Sequence, residues 1–72
     1  MAAGKWQFWI DRGGTFTDVV AETPEGRIVA HKLLSENADA YSDAAIQGIR
    51  DLMELKPDDP IPSRRIAAVK MG

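Results

Sequence analysis

The 72-residue sequence has no cysteine, which excludes a disulfide framework and any thiolate-ligated metal site and makes the cytoplasm the default compartment. It has one histidine, His31, with no second His, Cys or acidic cluster beside it in sequence, so it reads as an exposed strand residue rather than a metal ligand. Uninterrupted apolar runs are only a few residues long, too short to span a bilayer. The opening "MAAGKW" is too short for a signal peptide. Neither charge sign dominates: nine Lys and Arg against eleven Asp and Glu leave a formal charge of −2, and the one basic pair, Arg64-Arg65, reads as a solvated loop end. The sequence therefore carries no footprint for nucleic acid and no signal for a membrane partner. Two familiar phosphate loops are also missing: the glycine loop ending in Gly-Lys-Ser/Thr, and the Gly-x-Gly-x-x-Gly turn that opens a helix.

What is present suits a small soluble domain or part of a larger one, with 44% hydrophobic and 28% charged residues. A chain of this size buries only about 60% of its unfolded surface, so its stability is marginal. Large side chains of high β propensity predict a strand over 6–11, bounded by Gly4 behind and Gly13-Gly14 ahead. A second strand is expected over 17–23. The turn "TPEG" then leads to a third strand over 27–34, completing an antiparallel meander. "SENADA" changes the period. Asn37 or Asp39 is the expected helix cap, with acids in the first turn. Tyr41, Ala44, Ala45, Gly48, Ile49, Leu52 and Met53 then fall on one apolar stripe at helical spacing, and the small residues among them let the helix lie close on a sheet. "KPDDPIPS" is a proline-broken loop. The stretch 65–71 predicts a fourth strand, buried on both faces around Ala67 to Val69 and parallel to an earlier strand through a right-handed crossover. A strand that ends at Gly72 without a turn signal predicts that the chain is the N-terminal piece of something larger.

The hairpin "WIDRGGTFTDVV" concentrates the chemistry. A tight turn centred on Gly13-Gly14 would pair Arg12 with Thr15, Asp11 with Phe16, Ile10 with Thr17 and Trp9 with Asp18. Alternation puts Trp6, Phe8, Ile10, Thr17, Val19 and Ala21 on the face under the helix, and Trp9, Asp11, Phe16 and Asp18 on the other. Asp11 and Asp18 would then be diagonal neighbours about 7–8 Å apart. Glycines at φ > 0 let backbone N–H groups approach phosphate oxygens unobstructed. Thr15 adds a hydroxyl donor, and Asp11 is a hard oxygen ligand that can hold Mg²⁺ directly or through one of its waters. Arg12 carries less weight because its pairing directs it to the core side. The competing reading is a plain turn, since Gly, Thr and Asp are what turns use.

"DRGGTFTD" resembles the first phosphate motif of the actin-like ATPase and sugar-kinase superfamily. With "HKLLSE", "YSDAAIQGIRDLM" and the closing "IAAVKMG", the chain from Gln7 to Gly72 is similar to the N-terminus of the hydantoinase A/5-oxoprolinase family, and looks most like its oxoprolinase branch. The resemblance implies an α/β fold, the N-terminal portion of a ribonuclease H-like/actin-like ATPase, with a βββαβ mixed sheet and one crossover helix, incomplete in this chain. It implies ATP-dependent opening of a cyclic amide, 5-oxo-L-proline to L-glutamate, in which the amide oxygen is phosphorylated so that water can attack. It implies ATP and Mg²⁺, with K⁺ as a further ion. Carried over to this sequence, Asp11 orients Mg²⁺ or its water, and Gly13, Gly14 and Thr15 contact phosphate, with Arg12 a weaker candidate. Asp18 matches the pattern either as a water-positioning carboxylate or as a structural partner of the motif. The remainder of the chain or a hydantoinase B-type subunit would supply the second phosphate loop, the adenosine site and the closing domain, in what the resemblance implies is a homo-oligomer.

Alternatives within the superfamily are an N-methylhydantoinase, an acetone carboxylase subunit and a small-molecule kinase, the last disfavoured by "TFTD" and "HKLLSE". A non-enzymatic alternative is a free βββαβ interaction module. Trp9 could stack on a ring or cover a neighbouring element, Tyr41 reads as core, and Lys70 could approach phosphate. Because one wall of a cleft does not catalyse without the other, residues 1–72 alone are expected to give no ring-opening turnover. A robust rate from that purified piece would contradict the reading.

Overall fold

The computed structural model describes residues 4–56 and 58–72. Three seven-residue strands, β1 (Trp6–Arg12), β2 (Phe16–Glu22) and β3 (Ile28–Leu34), form the antiparallel meander. One helix, α1 (Ala44–Leu52), follows. A short 3₁₀ turn (Ser63–Arg65) leads into β4 (Ile66–Met71), which lies parallel to β1. The strand order is β3-β2-β1-β4, so the connection through α1 carries the chain from one edge of the sheet to the other. This is the expected mixed α/β arrangement, consistent with the N-terminal portion of a ribonuclease H-like/actin-like ATPase.

Side-chain alternation divides the sheet as the sequence predicts. Trp6, Phe8, Ile10, Thr17, Val19 and Ala21 are all buried on the face that α1 covers. The Trp6 and Phe8 rings stack with centroids 5.6 Å apart. From the helix, Ala45 and Ile49 complete the core, and Leu52 and Met53 pack at its margin. Gly48 makes the closest approach: a Cβ there would lie 2.5 Å from Val19 Cγ2 and 3.5 Å from Leu33 Cδ2. Between β2 and β3, Gly26 N–H donates to the Thr23 carbonyl at 2.9 Å, and Gly26 takes φ +88° to close the turn.

Four expectations need correction. The helix is capped by Asp43, whose carboxylate accepts from Ala45 N–H (2.8 Å) and Ile46 N–H (3.3 Å), and its first turn holds no acid. Residues 37–41 instead form a turn, with the Ala40 and Tyr41 N–H groups both donating to the Asn37 carbonyl. Tyr41 accordingly precedes the helix and donates its hydroxyl to the Leu34 carbonyl at 2.6 Å rather than filling the core. β4 is not buried on both faces: it is an edge strand with β1 on one side, and Val69 is 44% and Met71 57% exposed. His31 is half-buried on the helix side, and its Nε2 lies 2.9 Å from Asp51 Oδ2 on α1, a neighbour twenty residues away in sequence. In the loop "KPDDPIPS", Arg50 donates to the carbonyls of Lys56 (3.2 Å) and Asp59 (2.6 Å), tying it to the helix; its Pro57 lies outside the described residues.

The helix ends in a Schellman arrangement. Leu55 N–H donates to the Arg50 carbonyl and Glu54 N–H to the Asp51 carbonyl, with Glu54 at φ 57°. Glycine usually fills that left-handed position because a Cβ is penalised there. Two glycine exchanges in one helix should therefore act in opposite directions. Gly48→Ala forces a Cβ into immobile Val19 and should destabilise by about 1–2 kcal/mol, the overpacking cost less the gain in helix propensity. Glu54→Gly should stabilise by about 1 kcal/mol. Thermal unfolding reads each as a shift of about 4–8 °C per kcal/mol for a chain of this size.

Candidate phosphate- and metal-binding hairpin

The β1–β2 connection is closed by Gly13 N–H donating to the Phe16 carbonyl at 2.9 Å. Gly14 and Thr15 are thus the two residues of the loop, and the turn is not centred on Gly13-Gly14. The ladder follows that closure, with Arg12 opposite Thr17, Asp11 opposite Asp18, Ile10 opposite Val19 and Trp9 opposite Val20. The observed register differs from the expected one by two residues, which leaves every side chain on its predicted face. It also pairs Ile10 with Val19 where the expected register would have set Ile10 against Thr17. Neither Gly13 nor Gly14 takes a positive φ; among the described glycines only Gly26 does. Gly13 is needed for closeness instead, since a Cβ there would lie 2.8 Å from the Phe16 carbonyl oxygen. A Cβ on Gly14 would meet nothing within 4 Å.

The two carboxylates are direct cross-strand partners rather than diagonal ones. They belong to the hydrogen-bonded class of pair, with Cα atoms about 5.5 Å apart. Like charges directly opposite repel, and the next strand offsets this. Lys32 on β3 is the partner of Asp18, with its Nζ 3.6 Å from Asp18 Oδ1 and 5.5 Å from the centroid of the Phe16 ring. Among the described residues the Asp11 carboxylate has no hydrogen bond or ion pair. A second row runs beside the first, with Lys70 on β4 next to Trp9 and Val20 beyond it. Together Trp9, Asp11, Asp18, Val20 and Lys70 line an open cleft of about 440 Å³ on the face away from the helix.

The loop's donors are unevenly committed. Gly13 N–H is spent on the turn, whereas among the described residues the N–H groups of Gly14 and Thr15 meet no acceptor. Arg12 is half-exposed on the helix side, its Nη2 3.1 Å from Asp43 Oδ1, which ties the hairpin to the cap of α1. Two residues that sequence reasoning passed over therefore hold the tip. Asp43 was legible as the acid immediately before the first apolar helical residue. Ser35 gave no local signal, because its partners lie 18 to 22 residues away: its N–H donates to the Thr15 carbonyl (2.8 Å), its hydroxyl donates to the Gly13 carbonyl (2.7 Å), and its Oγ lies 2.9 Å from Thr17 Oγ1.

The residues present fit a phosphate with Mg²⁺. Two adjacent backbone donors without an acceptor among the described residues, with open space beside Gly14, suit phosphate oxygens. Among the described residues no group of three or more His, Cys, Asp or Glu side chains gathers, and at this hairpin they offer the pair of carboxylates Asp11 and Asp18. That suits Mg²⁺, which keeps several waters and takes one or two carboxylates plus phosphate oxygens, rather than an all-protein cage. No helix among the described residues is long and apolar enough to cross a membrane.

Comparison with known proteins identifies the family. The family model for the hydantoinase/oxoprolinase N-terminal region matches residues 7–72. The chain is 42% identical to 5-oxoprolinase 1 of Arabidopsis thaliana over 78 aligned residues, covering 96% of this chain and 6% of that protein. It is 53% identical to 5-oxoprolinase of Dictyostelium discoideum over 49 residues, covering 67% of this chain and 4% of that protein. Against 5-oxoprolinase of Saccharomyces cerevisiae identity is 40% over 65 residues, covering 86% and 5%. The chain thus spans only about a twentieth of the length of these relatives. No solved structure matches it.

The two tip glycines should respond differently to a methyl group. Gly13→Ala collides with the Phe16 carbonyl and should destabilise by about 1–3 kcal/mol. Gly14→Ala enters open space at an ordinary φ, so stability should stay level or rise by a few tenths of a kcal/mol. Paired melting curves of the two variants check this.

Proposed function

Because the chain belongs to the hydantoinase/oxoprolinase family, we propose that it is the N-terminal nucleotide-binding segment of a larger ATP-dependent cyclic-amide hydrolase that opens 5-oxo-L-proline to L-glutamate. The observation that carries the reading is the pair of N–H groups at Gly14 and Thr15 on the same hairpin as the Asp11 carboxylate, all three without a partner among the described residues. Bound Mg·ATP would supply the phosphoryl group that, placed on the amide oxygen with ADP departing, makes the ring carbonyl carbon electrophilic enough for water to attack, so that the ring C–N bond breaks and phosphate is released. The Gly14 and Thr15 N–H groups and the Thr15 hydroxyl bind phosphate oxygens, while Gly13 holds the loop closed and keeps its backbone close to them. Asp11 holds Mg²⁺ or one of its waters. Asp18, already beside Lys32, balances charge across the strand pair and keeps Asp11 the carboxylate open to metal. Arg12 braces the hairpin against α1 rather than contacting phosphate. Phosphoryl transfer asks mainly for positioning and charge neutralisation, so a rigid backbone cradle with one metal carboxylate is a sufficient contribution from this wall of the cleft.

Calorimetric titration of the full-length protein with ATP, with and without Mg²⁺, tests the assignment. Gly14→Val should abolish binding, because its side chain fills the space phosphate would occupy while leaving the fold unstrained. Asp11→Ala should remove most of the difference that Mg²⁺ makes. Wild-type binding by both variants would remove the site assignment.

A further inference from the structure

A Gly-Gly tip is the least constrained backbone a chain can offer, so a cradle built there needs something to stop its peptide groups from rotating. Ser35, the first residue after β3, meets that need. In a planar trans peptide the C=O and the following N–H point in opposite directions. The Ser35 hydroxyl donates to the Gly13 carbonyl at 2.7 Å, and that carbonyl shares its peptide plane with Gly14 N–H. Fixing the one aims the other away from Ser35. The Ser35 N–H donates to the Thr15 carbonyl at 2.8 Å, fixing the peptide on the far side of the loop. Both peptides flanking the Gly14–Thr15 unit are thus pinned by one residue.

The hydroxyl chain also has a defined direction. A serine hydroxyl has one hydrogen, and Ser35 spends it on Gly13. The 2.9 Å contact between Thr17 Oγ1 and Ser35 Oγ must therefore be donated by Thr17. Thr17 is fully buried, so the chain runs from the core outward, Thr17 to Ser35 to Gly13, and Ser35 is held in the rotamer that reaches the loop.

We propose that Ser35 is a positioning residue for nucleotide binding, acting through the Gly13 carbonyl to present Gly14 N–H to a phosphate oxygen. The inference rests on the nucleotide-binding reading given above. It concerns the full-length protein, where Kd for Mg·ATP and the kcat and KM of ring opening can be measured well below each variant's Tm. Ser35→Ala should raise Kd and KM for Mg·ATP about tenfold, the scale of one lost hydrogen bond, and leave KM for the cyclic amide unchanged. Ser35→Thr restores the hydroxyl and should bring Kd back to within about threefold of wild type. Gly48→Ala, which lowers Tm without touching the tip, should bind as wild type and so separates positioning from general destabilisation. Wild-type affinity in Ser35→Ala alongside lost binding in Gly14→Val would overturn the role of Ser35 and leave the site standing. Wild-type affinity in both would instead overturn the nucleotide-binding reading. Ser35→Thr binding no better than Ser35→Ala also overturns the proposal. If Ser35→Ala does not fold, Ser35→Gly, which also lacks the hydroxyl, takes its place, and wild-type affinity there has the same meaning.

Discussion

The hydrogen bond from Gly13 N–H to the Phe16 carbonyl sets the geometry on which the rest of this structure depends. It closes the β1–β2 loop and so fixes which residues face each other along the whole hairpin. A slip of two residues would keep every side chain on its own face, so burial alone does not select the register. What the observed register adds is matched pairing in the core, Ile10 against Val19 and Phe8 against Ala21. It also brings Thr17 beneath Ser35 and leaves Gly14 and Thr15 at the apex. Closure at this point requires glycine at position 13, because the Phe16 carbonyl occupies the space a side chain would need.

The same register creates an electrostatic problem and a partial solution. Asp11 and Asp18 face each other directly, a repulsive placement on a half-solvated sheet. Lys32 on the next strand sits beside Asp18 but not Asp11. The row Asp11, Asp18, Lys32 therefore alternates from an uncompensated carboxylate to a compensated pair. An ion pair as exposed as this one adds little to stability. Its consequence is asymmetry: one of two chemically equivalent acids is left as the stronger attractor for a cation, next to a cleft whose other rim carries Lys70.

Faces, strand order along the chain and the parallel return of β4 were all legible in the sequence, because they follow from periodicities that are local and from a connection length that admits few topologies. The misreadings share a different physical origin. Asn37 looked as good a cap as Asp43 by residue type, and only the position of the first buried helical residue, Ala44, distinguishes them. "IAAVKM" has the composition of a doubly covered strand, but coverage is a property of the neighbours, and β4 has β1 on one side only. Ser35 and the His31–Asp51 contact were invisible because each joins residues about twenty positions apart. Pairings of that kind exist only once a register is fixed, and register was the quantity that alternation left undetermined. The acid pair was recovered on the right face and misplaced along it for the same reason.

Glycines in this chain answer to different constraints, and sorting them sharpens the functional argument. Gly26 adopts a backbone angle that other residues avoid. Gly48 lets the helix touch Val19, and Gly13 lets the turn close. Each is required by the fold itself. Gly14 is not: its backbone angle is ordinary and the space beside it is empty. A glycine in such a place costs conformational entropy on folding that alanine would avoid, and nothing within the described residues offsets that cost. The missing side chain becomes intelligible when the empty space is reserved for something that approaches from outside. A phosphate oxygen drawing up to the Gly14 and Thr15 amides would fill that space, at a point of the hairpin where, among the described residues, two adjacent backbone donors have no acceptor and the Asp11 carboxylate has no partner.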